Sequence, residues 1–280
     1  MPDDQRSVIH RREFIRASGA FCLSVMSGGA CSEPSMEGEA PSSTPDDDLA
    51  PRVVGMRSLG GAFRYDPVGL GVAPGDEVHW LNMGDFHTVS AFHPDNAELI
   101  EGSVPLRIPE EAAPFHSGML GLTAGTQFTH RFEVAGVYDY FCQPHYSFGM
   151  VGRIIVGEPR GGPALRRPSD DLNEVARRTM PSVDAILGPG GAAFEWAARV
   201  NGILYRMANE GEATAVAEAV ASGMSEDDAL GDWLGAQDRS ALPRALSSLM
   251  DAASGAADYQ VVLQRADEVK KVLRSPRGRR

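Results

Sequence analysis

Three side chains that can bind a metal lie close together between residues 138 and 153. This stretch reads YDYFCQPHYSFGMVGR and contains Cys142, His145 and Met150. A thiolate is a soft donor that holds Cu(I), an imidazole binds both Cu(I) and Cu(II), and a thioether forms a long, weak bond. A loop that offers all three donors therefore predicts one copper ion that cycles between its two oxidation states.

A trigonal copper site of two imidazoles and one thiolate needs a second histidine from another part of the chain. The candidate is His87, which lies 55 residues before Cys142 at the start of the predicted strand HTVSAF. A ligand on a distant strand lets a rigid framework set the geometry before the metal arrives. We expect ordinary structural or surface roles for four other histidines, which are His79, expected to face solvent, and His93, His116 and His130.

The framework that positions these ligands is predicted to be a β-sandwich over residues 51–157. Segments such as EVHWLN alternate apolar and polar residues, and turn sequences such as APGD separate them. This pattern is typical of half-buried strands. Seven or eight such segments favour a small sandwich, with a long loop at residues 94–122.

The sequence pattern changes from strand to helix after residue 157. Residues 158–169 are rich in Gly, Pro and Arg and predict a linker. Apolar residues at helical spacing, such as Val200 and Leu204, then predict an all-α domain of four to six helices over residues 170–275. Ser225 is predicted to cap one of these helices, and residues 276–280 form a basic tail. Residues 158–280 contain neither Cys nor His, so we expect no metal or haem of their own there.

The first 50 residues predict targeting rather than fold. Arg11 and Arg12 precede a short apolar stretch, and residues 1–31 resemble a twin-arginine export signal. This signal ends in GGAC, which predicts lipidation of Cys31; the alternative is an ordinary cysteine near an unrelated cleavage site. Residues 32–50 are acidic without any basic residue and predict a solvated tether. We expect a lipid-anchored protein on the outer face of the cell membrane, or a periplasmic protein if Cys31 is not used.

The formal charge of the chain is −12. Nucleic-acid binding requires a basic face that neutralises phosphates, so this charge argues against a nucleic-acid partner. An acidic surface instead favours a basic protein partner, with an association rate that falls as salt is added.

Two segments resemble the ligand regions of the plastocyanin-like cupredoxins, which are blue type 1 copper proteins. They read EVHWLNMGDFHTVSAF and VYDYFCQPHYSFGMVGRIIV, and FRYDPVGLGVAPGDEVHWLN is similar to the early strands of the family. The likeness covers residues 52–157 and is strongest to the halocyanin-like proteins of archaea. It implies a Greek-key sandwich and one type 1 copper ion with four ligands, His87, Cys142, His145 and Met150.

The same resemblance implies roles for residues around the ligands. Pro144 would keep the ligand loop rigid, and Gly149 would let it turn back to the axial methionine. Some relatives carry Asn after the first histidine to tie the ligand loops together, whereas this chain has Thr88, whose hydroxyl could do the same.

These residues predict an electron carrier that is not an enzyme and has no small-molecule substrate. One edge of the His145 ring should reach the surface within an apolar docking patch that includes Tyr146 and Phe148. The expected partners are redox proteins, such as a basic cytochrome or a membrane oxidase complex. The alternative is a copper-carrying or copper-delivery protein. A copper oxidase or a nitrite reductase would need a further histidine cluster, and a c-type cytochrome would need Cys-x-x-Cys-His.

Overall fold

The computed structural model describes residues 51–274, with breaks at 60, 160, 166–171, 211–212 and 256. The predicted export signal with Cys31, the acidic tether and the basic tail lie outside the described residues. The first half of the predicted linker is described, and it contains a short 3₁₀ helix at Pro163–Leu165.

The first half of the described chain is a β-sandwich of two four-stranded sheets. One sheet has the strand order β2-β1-β4-β6 and the other has the order β3-β8-β7-β5. The eight strands are β1 Val53–Leu59, β2 Ala62–Asp66, β3 Gly69–Val72, β4 Glu77–Asn82, β5 Ser90–Ala91, β6 Gln127–Arg131, β7 Gly136–Phe141 and β8 Val151–Val156. The prediction of a seven- to eight-stranded sandwich is confirmed.

Strand β4 shows how the alternating sequence forms the sandwich core. Val78 and Trp80 are fully buried between the sheets, whereas Glu77 is exposed. His79 was expected to face solvent, but its ring lies 4.7 Å from that of Tyr205 in the helical region. His79 therefore lies on the outer face of the sheet, as expected, but it is half-buried there because Tyr205 packs against it.

Strands β7 and β8 are buried along their whole length, which indicates that both faces of their sheet are covered. The central charge is Asp139, which is 0% exposed. Its carboxylate accepts hydrogen bonds from Arg107 at 2.7 Å and from Arg153 at 2.6 and 2.9 Å. Both arginines also donate to the Ala164 carbonyl, at 3.4 and 3.3 Å. The short 3₁₀ helix after the sandwich is thus joined to the middle of this sheet.

Seven α-helices follow within the described residues. They are α1 Glu174–Thr179, α2 Val183–Leu187, α3 Gly191–Glu210, α4 Thr214–Glu226, α5 Asp228–Trp233, α6 Ala236–Ser254 and α7 Tyr259–Leu273. An all-α region after the sandwich is confirmed, but the count exceeds the predicted four to six. The reason is that α1, α2 and α5 have only five or six residues each, which is too short for a helical repeat to be recognised.

The predicted cap at Ser225 is wrong. Ser225 lies inside α4, and its hydroxyl donates a hydrogen bond to the Ala221 carbonyl at 2.8 Å. The cap of the next helix is Asp227, whose carboxylate accepts from the backbone N–H of Leu230 at 2.9 Å. Asp and Ser are both good N-cap residues, so the sequence alone did not separate two candidates that lie two positions apart.

The helical region packs directly on the sandwich. Val53 of β1 and Leu81 of β4 belong to the same buried cluster as the apolar residues of α3, α4, α6 and α7. Asn201 in α3 donates its side-chain amide to the carbonyls of Val53 at 3.0 Å and Asp66 at 2.6 Å. Among the described helices, none combines the length and the hydropathy that a membrane crossing requires.

Candidate metal centre

Three of the predicted ligands meet at one end of the sandwich. The donor atoms of His87, Cys142 and His145 all lie within 4.8 Å of one another. The Cys142 sulfur is 3.7 Å from Nδ1 of His87 and 3.5 Å from Nδ1 of His145. His87 and Cys142 are fully buried, and His145 is 8% exposed. Two imidazole nitrogens therefore face one buried sulfur.

The pairing of β7 with β8 brings Met150 to the same place. Phe141 pairs with Val151, so the segment from Cys142 to Met150 forms the turn between the two strands. The Cys142 N–H donates to the Met150 carbonyl at 3.0 Å, and the Met150 N–H donates to the His145 carbonyl at 3.2 Å. The Met150 side chain is fully buried in the apolar cluster that includes Cys142.

A left-handed glycine closes this ligand loop. Residues Tyr146–Phe148 form a 3₁₀ turn, and Gly149 follows with φ of 82°. Residues with a Cβ rarely adopt this conformation, so glycine allows the chain to reverse before Met150. Pro144 lies on the exposed side of the loop, where its ring restricts the backbone next to His145.

Thr88 joins the two ligand segments. Its hydroxyl accepts a hydrogen bond from the Gln143 N–H at 2.7 Å, and its own N–H points at the Cys142 sulfur at 3.4 Å. The Thr88 carbonyl accepts from the Tyr65 hydroxyl at 2.6 Å. Thr88 thus connects the segments of His87 and Cys142, and it also fixes them to β2.

Asn82 positions the loop that leads to His87, a role that was not predicted from the sequence. Its amide donates to the Asp85 carbonyl at 3.0 Å and to the Gly121 carbonyl, and its oxygen accepts from the Gly84 N–H at 2.9 Å. The His87 Nε2 then donates to the Gly84 carbonyl at 3.0 Å. This hydrogen bond places the ring proton on Nε2 and leaves Nδ1 as a lone-pair donor toward the sulfur. The run LNMGDFH contains a signal for this role, because an Asn two residues before a Gly-Asp pair is typical of a turn in which the Asn side chain bonds the backbone two residues on.

Burial sets the protonation states of the three donors. Burial, and then the neighbouring His145, lower the pKa of His87 to about 4. Burial also lowers the pKa of His145, whereas it raises the pKa of Cys142 to about 11. At neutral pH both imidazoles are therefore uncharged and able to coordinate, and the thiol keeps its proton until a metal displaces it.

Aromatic rings surround the outer side of His145. Phe63 of β2 stacks on the His145 ring with centroids 3.8 Å apart and an angle of 8° between the planes. Phe148 lies 5.1 Å from Phe63 and is 60% exposed, and Phe86 is 45% exposed. The exposed edge of His145 is thus small, and the exposed rings of Phe86 and Phe148 add apolar surface beside the two histidine ligand segments.

The start of the helical region packs against the ligand loop. Asn173 donates its side-chain amide to the Tyr146 carbonyl at 2.9 Å, and its N–H donates to the Tyr146 hydroxyl at 3.2 Å. A Cβ added to Gly149 would lie 2.5 Å from Cγ1 of Val175 in α1. Tyr146, one of the two predicted patch residues, is therefore half covered by the chain itself. No residue of the helical region was predicted to belong to the site.

The remaining histidines lie in other contacts. His116 is 2.8 Å from the Ser90 hydroxyl, His93 caps the 3₁₀ helix Pro94–Leu99, and His130 packs 4.6 Å from the Phe115 ring. The Cys142, His87 and His145 set is the one metal-binding cluster found among the described residues.

The sandwich matches a known family. Residues 53–157 match the family model described as copper binding proteins of the plastocyanin/azurin family. Over 96 residues the chain is 33% identical to the plastocyanin of Scenedesmus fuscus, which covers 89% of that protein and 34% of this chain. The chain belongs to the plastocyanin/azurin family.

Two further comparisons give partial matches to this cupredoxin. The chloroplastic plastocyanin of Tetradesmus obliquus is 35% identical over 96 residues, which are 34% of this chain and 60% of that protein. The chain therefore spans less than two thirds of that relative. The crystal structure of pseudoazurin from Methylobacterium extorquens AM1 is 27% identical and covers 45% of this chain and 89% of that one, with a TM-score of 0.33.

The donor set of this cupredoxin fits the copper that its family binds. Two imidazole nitrogens around one thiolate sulfur, with a methionine beside them, are the donors of a blue-copper site. The three facing donor atoms are buried, and both histidine rings are neutral, so the residues suit a metal that accepts nitrogen and sulfur ligands. Copper is the cofactor of this family, and the arrangement of His87, Cys142 and His145 is consistent with it.

Proposed function

We propose that this cupredoxin carries single electrons between redox proteins through one type 1 copper ion. The proposed ligands are His87, Cys142 and His145 in a trigonal set, with Met150 as a weak axial ligand. The observation that carries the proposal is the approach of both Nδ1 atoms to the buried Cys142 sulfur, at 3.7 and 3.5 Å. Bound copper would supply the one-electron Cu(I)/Cu(II) couple.

The protein would contribute a geometry that changes little with oxidation state. The side chains of Thr88 and Asn82 hold the segments of Cys142 and His87 by hydrogen bonds to the backbone. The turn at Gly149 fixes the position of Met150. Fixed ligands reduce the rearrangement that accompanies gain or loss of an electron. The Thr88 N–H, which points at the sulfur, would stabilise negative charge there and adjust the reduction potential.

Electrons would enter and leave near His145. Its ring is the ligand with an exposed fraction, and Phe148 and Phe86 provide exposed apolar surface. A small apolar contact suits a transient redox encounter. The acidic charge of the chain favours a basic partner, such as a cytochrome, or a membrane oxidase complex.

The deciding experiment is the visible spectrum of the copper-loaded protein beside three variants. We expect an intense blue charge-transfer band that bleaches on reduction. It should disappear in Cys142→Ser and His145→Gln but persist in the control His116→Gln, whose ring contacts Ser90. A colourless copper complex, or an unchanged band in Cys142→Ser, would contradict the ligand assignment.

A second measurement separates electron transfer from copper delivery. An electron carrier keeps its copper through repeated reduction and oxidation in the presence of a Cu(I) chelator, whereas a delivery protein loses it on reduction. Stable cycling with retained colour is expected. Stoichiometric transfer of copper to the chelator would favour copper delivery.

Export by the twin-arginine route and lipidation of Cys31 are part of the same proposal. Arg11, Arg12 and the GGAC sequence support it. Mass spectrometry of the mature protein from a cell that carries the export pathway should find an N-terminus at a diacylated Cys31. The wild-type protein should partition into the membrane, whereas the Cys31→Ala variant should stay in the periplasm. An unprocessed N-terminus would contradict the proposal.

A further inference from the structure

A cavity of about 600 Å³ lies between the sandwich and the helical region, at the end of β2. This volume falls within the range of small-molecule sites, roughly 300–1,000 Å³. Its walls are mainly apolar and come from β2 with the residues after it, α3, α5 and α7. The apolar lining includes Pro67, Phe194, Trp233 and Leu273.

One end of the cavity is polar and contains a buried ion pair. The Lys270 ammonium, whose side chain is 1% exposed, lies 3.0 Å from the Asp66 carboxylate and 2.9 Å from the Asn201 oxygen. Arg274 reaches the same Asp66 oxygen at 2.8 Å. The second nearby carboxylate, that of Asp267, pairs with Lys270 at 3.3 Å and also contacts Arg57. Both acids at this end are therefore already neutralised.

Arg64 also lines the cavity, and its charge has no carboxylate of its own at this end. Its Nε is buried and has no hydrogen-bond partner among the described residues. In the register of β1 with β2, Arg64 lies directly opposite Arg57, and like charges in this position destabilise a sheet. Burial, and then the positive charge of Arg274, lower the pKa of Arg64.

The local charge is consequently positive in a strongly acidic protein. Three cations, Arg57, Lys270 and Arg274, pair with the two carboxylates of Asp66 and Asp267, and Arg64 adds a fourth positive charge beside them. The cavity also has one exposed acid, Asp184, on its wall. An unpaired buried donor and an excess of cations at one end of an apolar cavity are the features that bind a molecule with an anionic head and an apolar body.

We propose that this cavity binds a small amphipathic carboxylate. The carboxylate would accept hydrogen bonds from Arg64, and the apolar body would lie against Phe194, Trp233 and Leu273. The site uses residues of both the sandwich and the helical region, and it is separate from the proposed copper ligands.

The test is titration calorimetry of the full chain with decanoate, below the concentration at which decanoate forms micelles. Decan-1-ol serves as the uncharged control ligand. Arg64→Gln removes the guanidinium, and Ala193→Phe fills the cavity from α3. Arg131→Gln is the control for loss of an arginine charge, since Arg131 lies on the surface beside Glu77. Urea unfolding of each variant verifies that it is folded.

We expect one decanoate per chain, and about tenfold weaker binding in Arg64→Gln, as for loss of a charge-assisted hydrogen bond. Decan-1-ol should bind the wild type more weakly by a similar factor, and Ala193→Phe should lose binding of both ligands. Arg131→Gln should bind decanoate like the wild type. The proposal is wrong if decanoate gives no saturable heat, or if Arg64→Gln and Ala193→Phe bind it as the wild type does.

Discussion

Replacing Gly149 by alanine tests whether helix α1 is part of the ligand loop's support. Gly149 has φ of 82°, and an added Cβ would lie 2.5 Å from Cγ1 and 3.2 Å from the carbonyl carbon of Val175. The left-handed conformation costs an L-residue about 1–2 kcal/mol. The lower entropy of the unfolded alanine chain offsets about 0.4–1 kcal/mol of this. The overpacking against α1 adds about 1–3 kcal/mol.

The matched control is Gly75→Ala. Gly75 has φ of 91°, but an added Cβ would meet nothing within 4 Å, so only the conformational cost applies. We expect a loss of about 1 kcal/mol in the free energy of unfolding for Gly75→Ala and about 2–4 kcal/mol for Gly149→Ala. Urea unfolding of the copper-free protein measures both values without a contribution from metal binding.

A double-mutant cycle with Val175→Ala assigns the difference to the helix. Val175 is 45% exposed, so its truncation alone should change stability little, but it removes the atom closest to the new Cβ. Gly149→Ala should regain about 1–2 kcal/mol in the Val175→Ala background. If Gly149→Ala costs no more than Gly75→Ala, or if Val175→Ala gives no recovery, then α1 does not press on the ligand loop.

Substitutions at three other positions, Thr88, Asp139 and Asp66, have defined outcomes. Thr88→Val leaves the Gln143 N–H without its acceptor and should lower the free energy of unfolding in urea by about 1–3 kcal/mol. Thr88→Ser keeps a hydroxyl and should retain most of this stability. Equal losses in both variants would contradict this role of the hydroxyl. Asp139→Asn removes a fully buried charge that two arginines share and should cost about 3–5 kcal/mol, while Arg131→Ala at an exposed ion pair should cost less than about 1 kcal/mol. Burial alone would raise the pKa of Asp66, but its cationic partners lower it well below the ordinary value of about 3.9. The ionised Asp66 carboxylate therefore stabilises the fold at pH values above its ordinary pKa, and this contribution is lost as the pH falls from there toward its lower pKa in the folded protein. Between pH 6 and pH 3, the free energy of unfolding should fall less in Asp66→Asn than in the wild type. An unchanged dependence on acid would refute the coupling.

The proposed copper site was largely predictable from sequence because its ligands follow local rules. The spacing of Cys142, His145 and Met150 places three donors on one turn, and the turn lies between two strands whose apolar runs are easily recognised. His87 could be chosen because it opens the predicted strand HTVSAF just after a turn-forming segment, although the strand itself is only Ser90–Ala91 and His87 forms an isolated bridge with Leu120. The alternation in EVHWLN predicted a half-buried strand, and Val78 and Trp80 are indeed its buried residues.

The parts that the sequence did not predict depend on contacts between distant segments. Asn173 bonds to Tyr146 across 27 positions, and Lys270 reaches Asp66 across 204 positions. No periodicity relates such residues, and each looks like an ordinary polar residue in its own segment. His79 shows the same limit, because its alternation predicts a face of the sheet but not the helix that covers that face.

The packing of α3 on β1 has a consequence for where this protein can be divided. The match to plastocyanins ends at residue 157, yet Val53 and Leu81 complete an apolar core that the helices supply, and Asn201 bonds to the β1 backbone. A fragment cut at the homology boundary would present this apolar face to water, although a Scenedesmus plastocyanin is nearly complete within the matched span. The homologous segment and the cooperative folding unit therefore have different boundaries. The sandwich and the helices should melt in a single calorimetric transition, and the slowest-exchanging amides should lie on both sides of residue 157.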